Sequence, residues 1–137
     1  MAGGRMRLWK TPWPAFVVTL ALGACAGFGA QKSDVIEENA YPKSYRSAIV
    51  DQLRLQLSDP KGIREAFLAE PTLKAHGAVT RYISCLRFNA KGPKGDYQGS
   101  KEYAAFFFAG GLTQVTVAPD DLCKGAAYQP FPELERL

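Results

Sequence analysis

The sequence predicts an α+β domain: one amphipathic helix packed on a three- or four-stranded antiparallel sheet. Two patterns carry that expectation. Between Ser44 and Pro60 apolar residues recur every three to four positions, the period of a helix with one buried stripe. Between Val79 and Ala118 the chain alternates or runs in β-branched and aromatic stretches, divided by Gly110-Gly111, as strands and a hairpin do. A single amphipathic helix must bury its stripe against another element, and the segments after it have the pattern of a sheet.

The helix is clearest in SYRSAIVDQLRLQLSDP. Ile49, Leu53 and Leu57 recur at i, i+4 and i+8, with Ala48 and Val50 beside them, while Arg46, Asp51 and Arg54 face water. Ser44 is the candidate N-cap, and Asp59-Pro60 ends the pattern because the residue before proline avoids the α region. GIREAFLAEP reads as a strand or a second short helix, with strand the favoured choice. AVTRYISCLRFNAK is a better strand: Tyr82, Ser84, Leu86 and Phe88 line one face and Val79, Ile83 and Cys85 the other. GPKGDYQGS is a loop by composition. EYAAFFFAGGLTQVTVA is a hairpin turning at Gly110-Gly111, a pair that tolerates the positive φ of a two-residue turn. After Pro119, DDLCKG is expected to form one helical turn, with Asp120 and Asp121 at its N-terminus. The closing AAYQPFPELERL holds two prolines and is expected to run irregularly over the surface.

The N-terminus has a different grammar. Arg5, Arg7 and Lys10 precede an apolar run from Ala15 to Ala24, and no acidic residue appears before Asp34. A basic start, a short apolar segment and small residues at its end are the parts of a bacterial secretory signal. A spanning helix needs ~20 predominantly apolar residues, and this run has about half of that. LGAC, Leu22 to Cys25, resembles the lipobox of bacterial lipoproteins: a leucine, two small residues, then the cysteine that becomes the mature N-terminus. The resemblance implies diacylglycerol on the Cys25 thiol, an acylated amino group and anchorage in a bilayer. The other readings are an ordinary signal peptide cut near ACA, with Cys25 incidental, and an uncleaved anchor. Residues 1–24 are then the signal, 25–43 a lipidated, polar tether, and 44–137 one small domain.

Three cysteines are an odd number for a chain exported to an oxidising compartment. With lipid on Cys25, Cys85 and Cys123 remain as a pair; a disulfide between them closes a loop of about 38 residues, worth roughly 4 kcal/mol in the chain-entropy model. Two buried free thiols are the alternative. Charge changes meaning with the same cleavage. The full chain carries 17 Lys+Arg against 13 Asp+Glu, and loss of residues 1–24 leaves 14 against 13. The basic balance belongs mostly to the signal, so it gives no ground for a nucleic-acid partner.

A second resemblance lies in the domain. SDP and, later, YISCLRFNAKGPKGDYQGSKEY resemble a pattern in small exported bacterial proteins. There Asp-Pro comes after a helix, and a strand cysteine, Asn-Ala-Lys and a Gly-x-Tyr-x-Gly turn come later. The matching positions are Asp59, Pro60, Cys85, Asn89, Ala90, Lys91, Gly95, Tyr97 and Gly99. Many such sequences place glycine after the cysteine, where this one has Leu86. The ending from Ala126, AAYQPFPELE, is similar to alphaproteobacterial lipoproteins. These likenesses imply a fold and an exported address, and bring no activity.

Catalytic parts are scarce. His76, the only histidine, sits between Ala75 and Gly77 in an expected loop, with no second histidine or acidic cluster near it in sequence to make a metal site. No serine has a nucleophile-elbow context, and Ser84 reads as a strand residue. Adjacent Asp120 and Asp121 point apart in a turn, and Cys85 and Cys123 are too distant for a redox CxxC. No cofactor and no metal are expected. Lys91, Lys94 and Lys101, among glycines, form a candidate anion contact, weighed against a plain solvated loop in which Asp96 and Glu102 offset the charge. Phe106, Phe107 and Phe108 are core on both faces of a strand or, with one face open, a contact patch.

Together these features read as a lipid-anchored, non-catalytic envelope protein, tethered through acyl chains on Cys25 near an unidentified envelope protein. Ala26 after the cysteine, in place of aspartate, points by resemblance to the periplasmic leaflet of the outer membrane. The alternatives are an inhibitor-like module against a hydrolase and an anion or lipid-headgroup binder.

Overall fold

The structure, a computed structural model, describes Pro12 and residues 37–137. The segments expected to be the signal, the lipobox at Cys25 and most of the tether therefore lie outside the described residues. Helix α1 (Tyr45–Gln56) leads directly into strand β1 (Asp59–Leu68), and then come β2 (Thr72–His76), β3 (Val79–Lys91), β4 (Tyr97–Phe108) and β5 (Gly111–Val117). A two-residue strand β6 (Gln129–Pro130) and a one-turn helix α2 (Pro132–Glu135) close the chain. The sheet runs β5-β4-β3-β1-β6, all its pairings antiparallel, with β2 also on β3. Among the described residues there are six strands, not the three or four expected from the sequence. The extra ones are β2 and β6. Strand β3 organises the whole: β4 pairs along one edge, while the other is shared, β2 against 79–83 and β1 against 86–91.

Each face of the sheet carries an apolar layer. On one, Ile49, Val50 and Leu53 of α1 meet Leu86 and Phe88 of β3, Ala105 and Phe107 of β4, and Val115 of β5. Phe88 stacks on Tyr103, ring centroids 4.4 Å apart. On the other, Ile83 and Cys85 pack with Ala104, Phe106, Ala69 and Cys123. The alternation read in β3 is thus the observed one: even positions from Leu86 face the helix, odd ones the disulfide. Phe106 and Phe107 fill opposite layers, and Phe108 stands out at 45% exposed. Leu57 caps α1 in extended conformation rather than continuing it, three residues before Pro60. Ser44 occupies the N-cap position, but its side chain makes no cap. Its carbonyl accepts from Ala48 N and Ser47 Oγ, each at 3.1 Å.

His76 is not in a loop. It ends β2, registered opposite Val79, and its ring lies 5.1 Å from that of Phe106. The turn between them is Gly77-Ala78, with Gly77 at φ 63°, the glycine-first chemistry of a two-residue hairpin. The β4–β5 turn also differs by one residue from the expected place. Phe108 pairs with Gly111, so the turn residues are Ala109 and Gly110, both left-handed at φ 49° and 78°. An L-residue with a Cβ is strained there, and asparagine bears that conformation better. Ala109→Asn is therefore expected to stabilise the domain by about 0.5–1 kcal/mol and raise Tm by roughly 3–6 °C, read by thermal denaturation. Gly110→Ala, forced into the same region, should move Tm the other way. Chain upstream of Ser44 lies against this turn: Ala109 N donates to Glu38 O at 2.9 Å, Pro42 is buried, and Tyr41 meets Tyr82 edge to face.

The C-terminal segment is core, contrary to the surface course its prolines predict. Phe131 and Leu134 are fully buried beneath α1 in the helix-side layer. Pro130 is tolerated because β6 is an edge strand, and Pro132 because it opens α2, where its missing N–H is not needed. Phe131 N donates to Ala66 O at 2.8 Å, and Glu135 Oε1 accepts from Ala66 N at 2.9 Å. Arg46 of α1 clasps Glu133 with two hydrogen bonds of 2.8 Å and lies over the Phe131 ring. That guanidinium holds the Glu133 carboxyl at about 2, well below its ordinary range. A depressed carboxylate stabilises the fold above its unfolded pKa, near 4.5, and loses that contribution as pH falls toward 2. The pair is partly exposed, so its worth is below about 1 kcal/mol. Glu133→Gln should melt slightly below wild type at pH 7, and the gap should close between about pH 5 and pH 2.

Candidate functional site

The helix-bearing face of the sheet is filled, whereas the face that carries the disulfide holds a cleft and a set of cations laid on aromatic rings. Cys85 and Cys123 are joined, their Cα atoms 5.6 Å apart and both residues buried. Residues 119–126 cross that face as successive tight turns, closed by Leu122 N to Pro119 O, Lys124 N to Asp121 O and Ala126 N to Cys123 O. The expected helical turn at Asp120 is absent, and Asp121 is left-handed at φ 66°. Ala118 N, donating to Glu102 O, and Lys74 Nζ, donating to Leu122 O, fix this strap at two further points.

Beside the disulfide the strap leaves a cleft of about 450 Å³. Ala69, Ile83 and Cys85 make an apolar floor, Gly125 to Ala127 one wall, and Glu70, Lys74 and Lys124 its charged surround. The volume falls within the range of small-ligand sites. Ser84, on the opposite parity of β3, is a structural residue: it is buried and its hydroxyl donates to Ala69 O.

Beyond the strap the same face bears a row of cations laid on aromatic rings. Arg87 stands over Phe67 and Tyr128, at 4.7 and 4.8 Å from the ring centroids. Arg64 and Lys91 flank Tyr97 at 4.1 and 5.5 Å. Tyr97 reaches across β3 to donate to Gly62 O on β1 at 2.7 Å, which fixes the ring under both cations. Two irregularities bring these side chains onto one face. In β1, Arg64 and Phe67 are three apart yet oppose Asn89 and Arg87, because Glu65 bulges at φ 54°. In β4, Tyr97 and Ser100 oppose Lys91 and Asn89 across a second bulge, where Gly99 has φ 84°.

Glu102 stands opposite Arg87 in register, but its carboxylate accepts a hydrogen bond from Tyr128 Oη. Burial first, then that bond, push the Tyr128 hydroxyl far above its ordinary pKa, so it remains a donor at any working pH. Among the described residues, none of Arg64, Arg87 and Lys91 forms a salt bridge.

Of the three lysines singled out in the sequence, only Lys91 joins this row. Lys94 is exposed in the turn closed by Gly95 N to Gly92 O, and Lys101 opposes Phe88, on the helix-side parity of β4. Arg64, Arg87, Phe67 and Tyr128 carry no sequence signal of their own; only the register through two bulges assembles them. Among the described residues no group of three or more His, Cys, Asp or Glu is placed to hold a metal ion. No family model, curated protein or solved structure matches the chain.

Proposed function

We propose that the chain is a lipid-anchored protein of the bacterial cell envelope, whose domain acts without catalysis by contacts on its disulfide face. The observation that carries the contact part is that face itself. An apolar-floored cleft and a row of cations that form no salt bridge among the described residues share one side of a sheet whose other side is covered by α1 and α2. The anchoring part rests on LGAC and the basic, apolar segment before it. Acyl chains on Cys25 would hold the domain at a bilayer and raise its effective concentration toward a partner in the envelope. Ala26 favours the outer membrane, periplasmic side.

The test is the intact mass of the protein purified from detergent-solubilised membranes of a bacterial host, wild type beside Cys25→Ser. The expected result is a chain beginning at Cys25 and heavier by its acyl groups, a gain lost in the variant. An unmodified wild-type chain, indifferent to the substitution, removes the anchor from the proposal.

A further inference from the structure

We propose that the end of the sheet at which the chain enters the domain is a bilayer-contacting tip, resting among lipid headgroups of the membrane that anchors Cys25. The inference rests on the reading of a lipid-anchored protein and adds to it an orientation and a second point of membrane contact.

Register places four exposed apolar side chains at that end. Leu73 pairs with Tyr82, Val79 opens β3, and Phe108, two residues beyond the partner of Ile83, ends β4. Tyr41 lies on Tyr82, the ring centroids 5.3 Å apart. These are four of the six large apolar residues exposed among the described residues, each between 44% and 50% exposed. Measured along β3 they fall beside its first four residues, 79–82. That band is about 10 Å deep, and an amphipathic element at a membrane interface buries about 5–10 Å. The turns that close this end, Gly77-Ala78 and Ala109-Gly110, are uncharged, as is the whole run from Ala104 to Ala118. The opposite end differs: Lys91, Lys94 and Asp96 stand around the β3–β4 turn.

What covers the tip follows from where the chain arrives. Glu38 O accepts from Ala109 N in the β4–β5 turn, and Glu38 follows Cys25 by thirteen residues. Whatever their course, those residues span at most about 45 Å, so an acylated Cys25 keeps this end near the bilayer. Shape favours lipid over a protein partner. Leu73 and Tyr41 stand with Tyr82 on the helix side of the sheet, whereas Val79 and Phe108 share the parity of Ile83 and Phe106 on the disulfide side. A flat protein surface meets one face of a sheet; apolar side chains around both faces of its end suit a fluid medium that closes round them. Tyrosine in particular is enriched at the membrane–water interface, its ring apolar and its hydroxyl wet. Exposed Glu37, Glu38 and His76 limit the depth, since charged groups do not enter hydrocarbon cheaply. The sheet then stands upright on the bilayer. Its disulfide face turns sideways, toward other proteins of the envelope, and Lys91 lies twelve residues of β3 from Val79, roughly 40 Å from the tip.

The experiment places one tryptophan at each end. Trp9 and Trp13 both precede Cys25, so a chain beginning there has none, and wild type supplies the background. Phe108→Trp and Val79→Trp report from the tip and Lys94→Trp from the far end; two tip variants are made so that if one melts below wild type the other still reports. The full chain, purified in detergent, is reconstituted into vesicles of phosphatidylethanolamine and phosphatidylglycerol, with and without bromine on the acyl chains near the headgroup. Brominated lipid is expected to remove most of the emission of both tip variants and to leave Lys94→Trp unchanged. Equal quenching at the two ends, or none at the tip, overturns the proposal. Tip emission that is shifted to the blue yet indifferent to bromine shows protein over the tip and overturns the bilayer as its occupant. The intact mass of the same samples separates this result from the anchor. An acylated chain unquenched at the tip loses the tip and keeps the anchor. An unmodified chain quenched only at the tip keeps the tip and loses the anchor, and one that is neither modified nor quenched loses both.

Discussion

Phe131→Ala is expected to destabilise the domain by about 3–5 kcal/mol and to lower its melting temperature by roughly 15 °C or more. Domains of this size have about 5–15 kcal/mol in total, so the variant should be partly unfolded near 37 °C at the lower end of that range. The ring is fully buried and packs with Leu134, the α1 stripe and the β1 residues Ala66 and Leu68. Two kinds of loss add. The transfer energy of the ring disappears, and a cavity is left that the residues around it fill only in part. The site cannot collapse freely, because Phe131 N is pinned to Ala66 O and Glu133 is held by Arg46. Leu134→Ala acts on the same layer and should cost about 2–5 kcal/mol. Had the last twelve residues run over the surface, both changes would fall within about 0.5 kcal/mol of wild type. Urea denaturation of the two variants separates the cases, and midpoints equal to wild type would remove the C-terminus from the core.

The parts of this fold that can be read from the sequence are those in which one periodicity runs unbroken. Helix α1 is legible because the spacing of Ile49 and Leu53, both buried, passes without interruption, and β3 shows both faces because alternation holds from Tyr82 to Phe88. Strand β1 is half visible, since Gly62 and Glu65, both left-handed, insert residues that break its alternation. Strand β2 has no buried residue, so no hydrophobic pattern can announce it; its one signal is Gly77-Ala78. In the C-terminal segment prolines read as breakers, yet one sits on a sheet edge and the other at a helix start, the two places where a missing N–H costs nothing. The disulfide face is legible only in fragments. Lys91 stands out among glycines and Cys85 with Cys123 by parity of count, but the cation row needs strand order, register and two bulges at once. None of those is a property of local sequence.

Reduction of Cys85–Cys123 is the second large effect, expected to cost roughly 4 kcal/mol and about 15–30 °C in melting temperature. The bond spans a sequence separation of 38. Most of its contribution comes from the unfolded chain, which regains the freedom of that loop when the bond is cut. The m-value in urea should therefore rise on reduction, since the open chain exposes more surface. The native state should change locally. Without the bond the strap keeps the Ala118–Glu102, Lys74–Leu122 and Tyr128–Glu102 hydrogen bonds, so it should remain docked but open more often. Hydrogen exchange should accelerate first in residues 119–127, including the Gly125–Ala127 wall of the cleft, well before β3 or β4. Both cysteines are buried, so reductant acts only through such openings, and Cys85→Ala/Cys123→Ala gives the cleaner comparison. Coincident unfolding curves for oxidised protein, reduced protein and the double variant would show that the loop gains no freedom. Uniform acceleration of exchange across the sheet would show instead that the disulfide holds the whole domain and that the strap is no separate element. A local response keeps the cleft and the cation row distinct. Reduction then opens the first while leaving Arg64 and Lys91 on Tyr97, because that ring is held by sheet register and by its bond to Gly62 O, not by the disulfide.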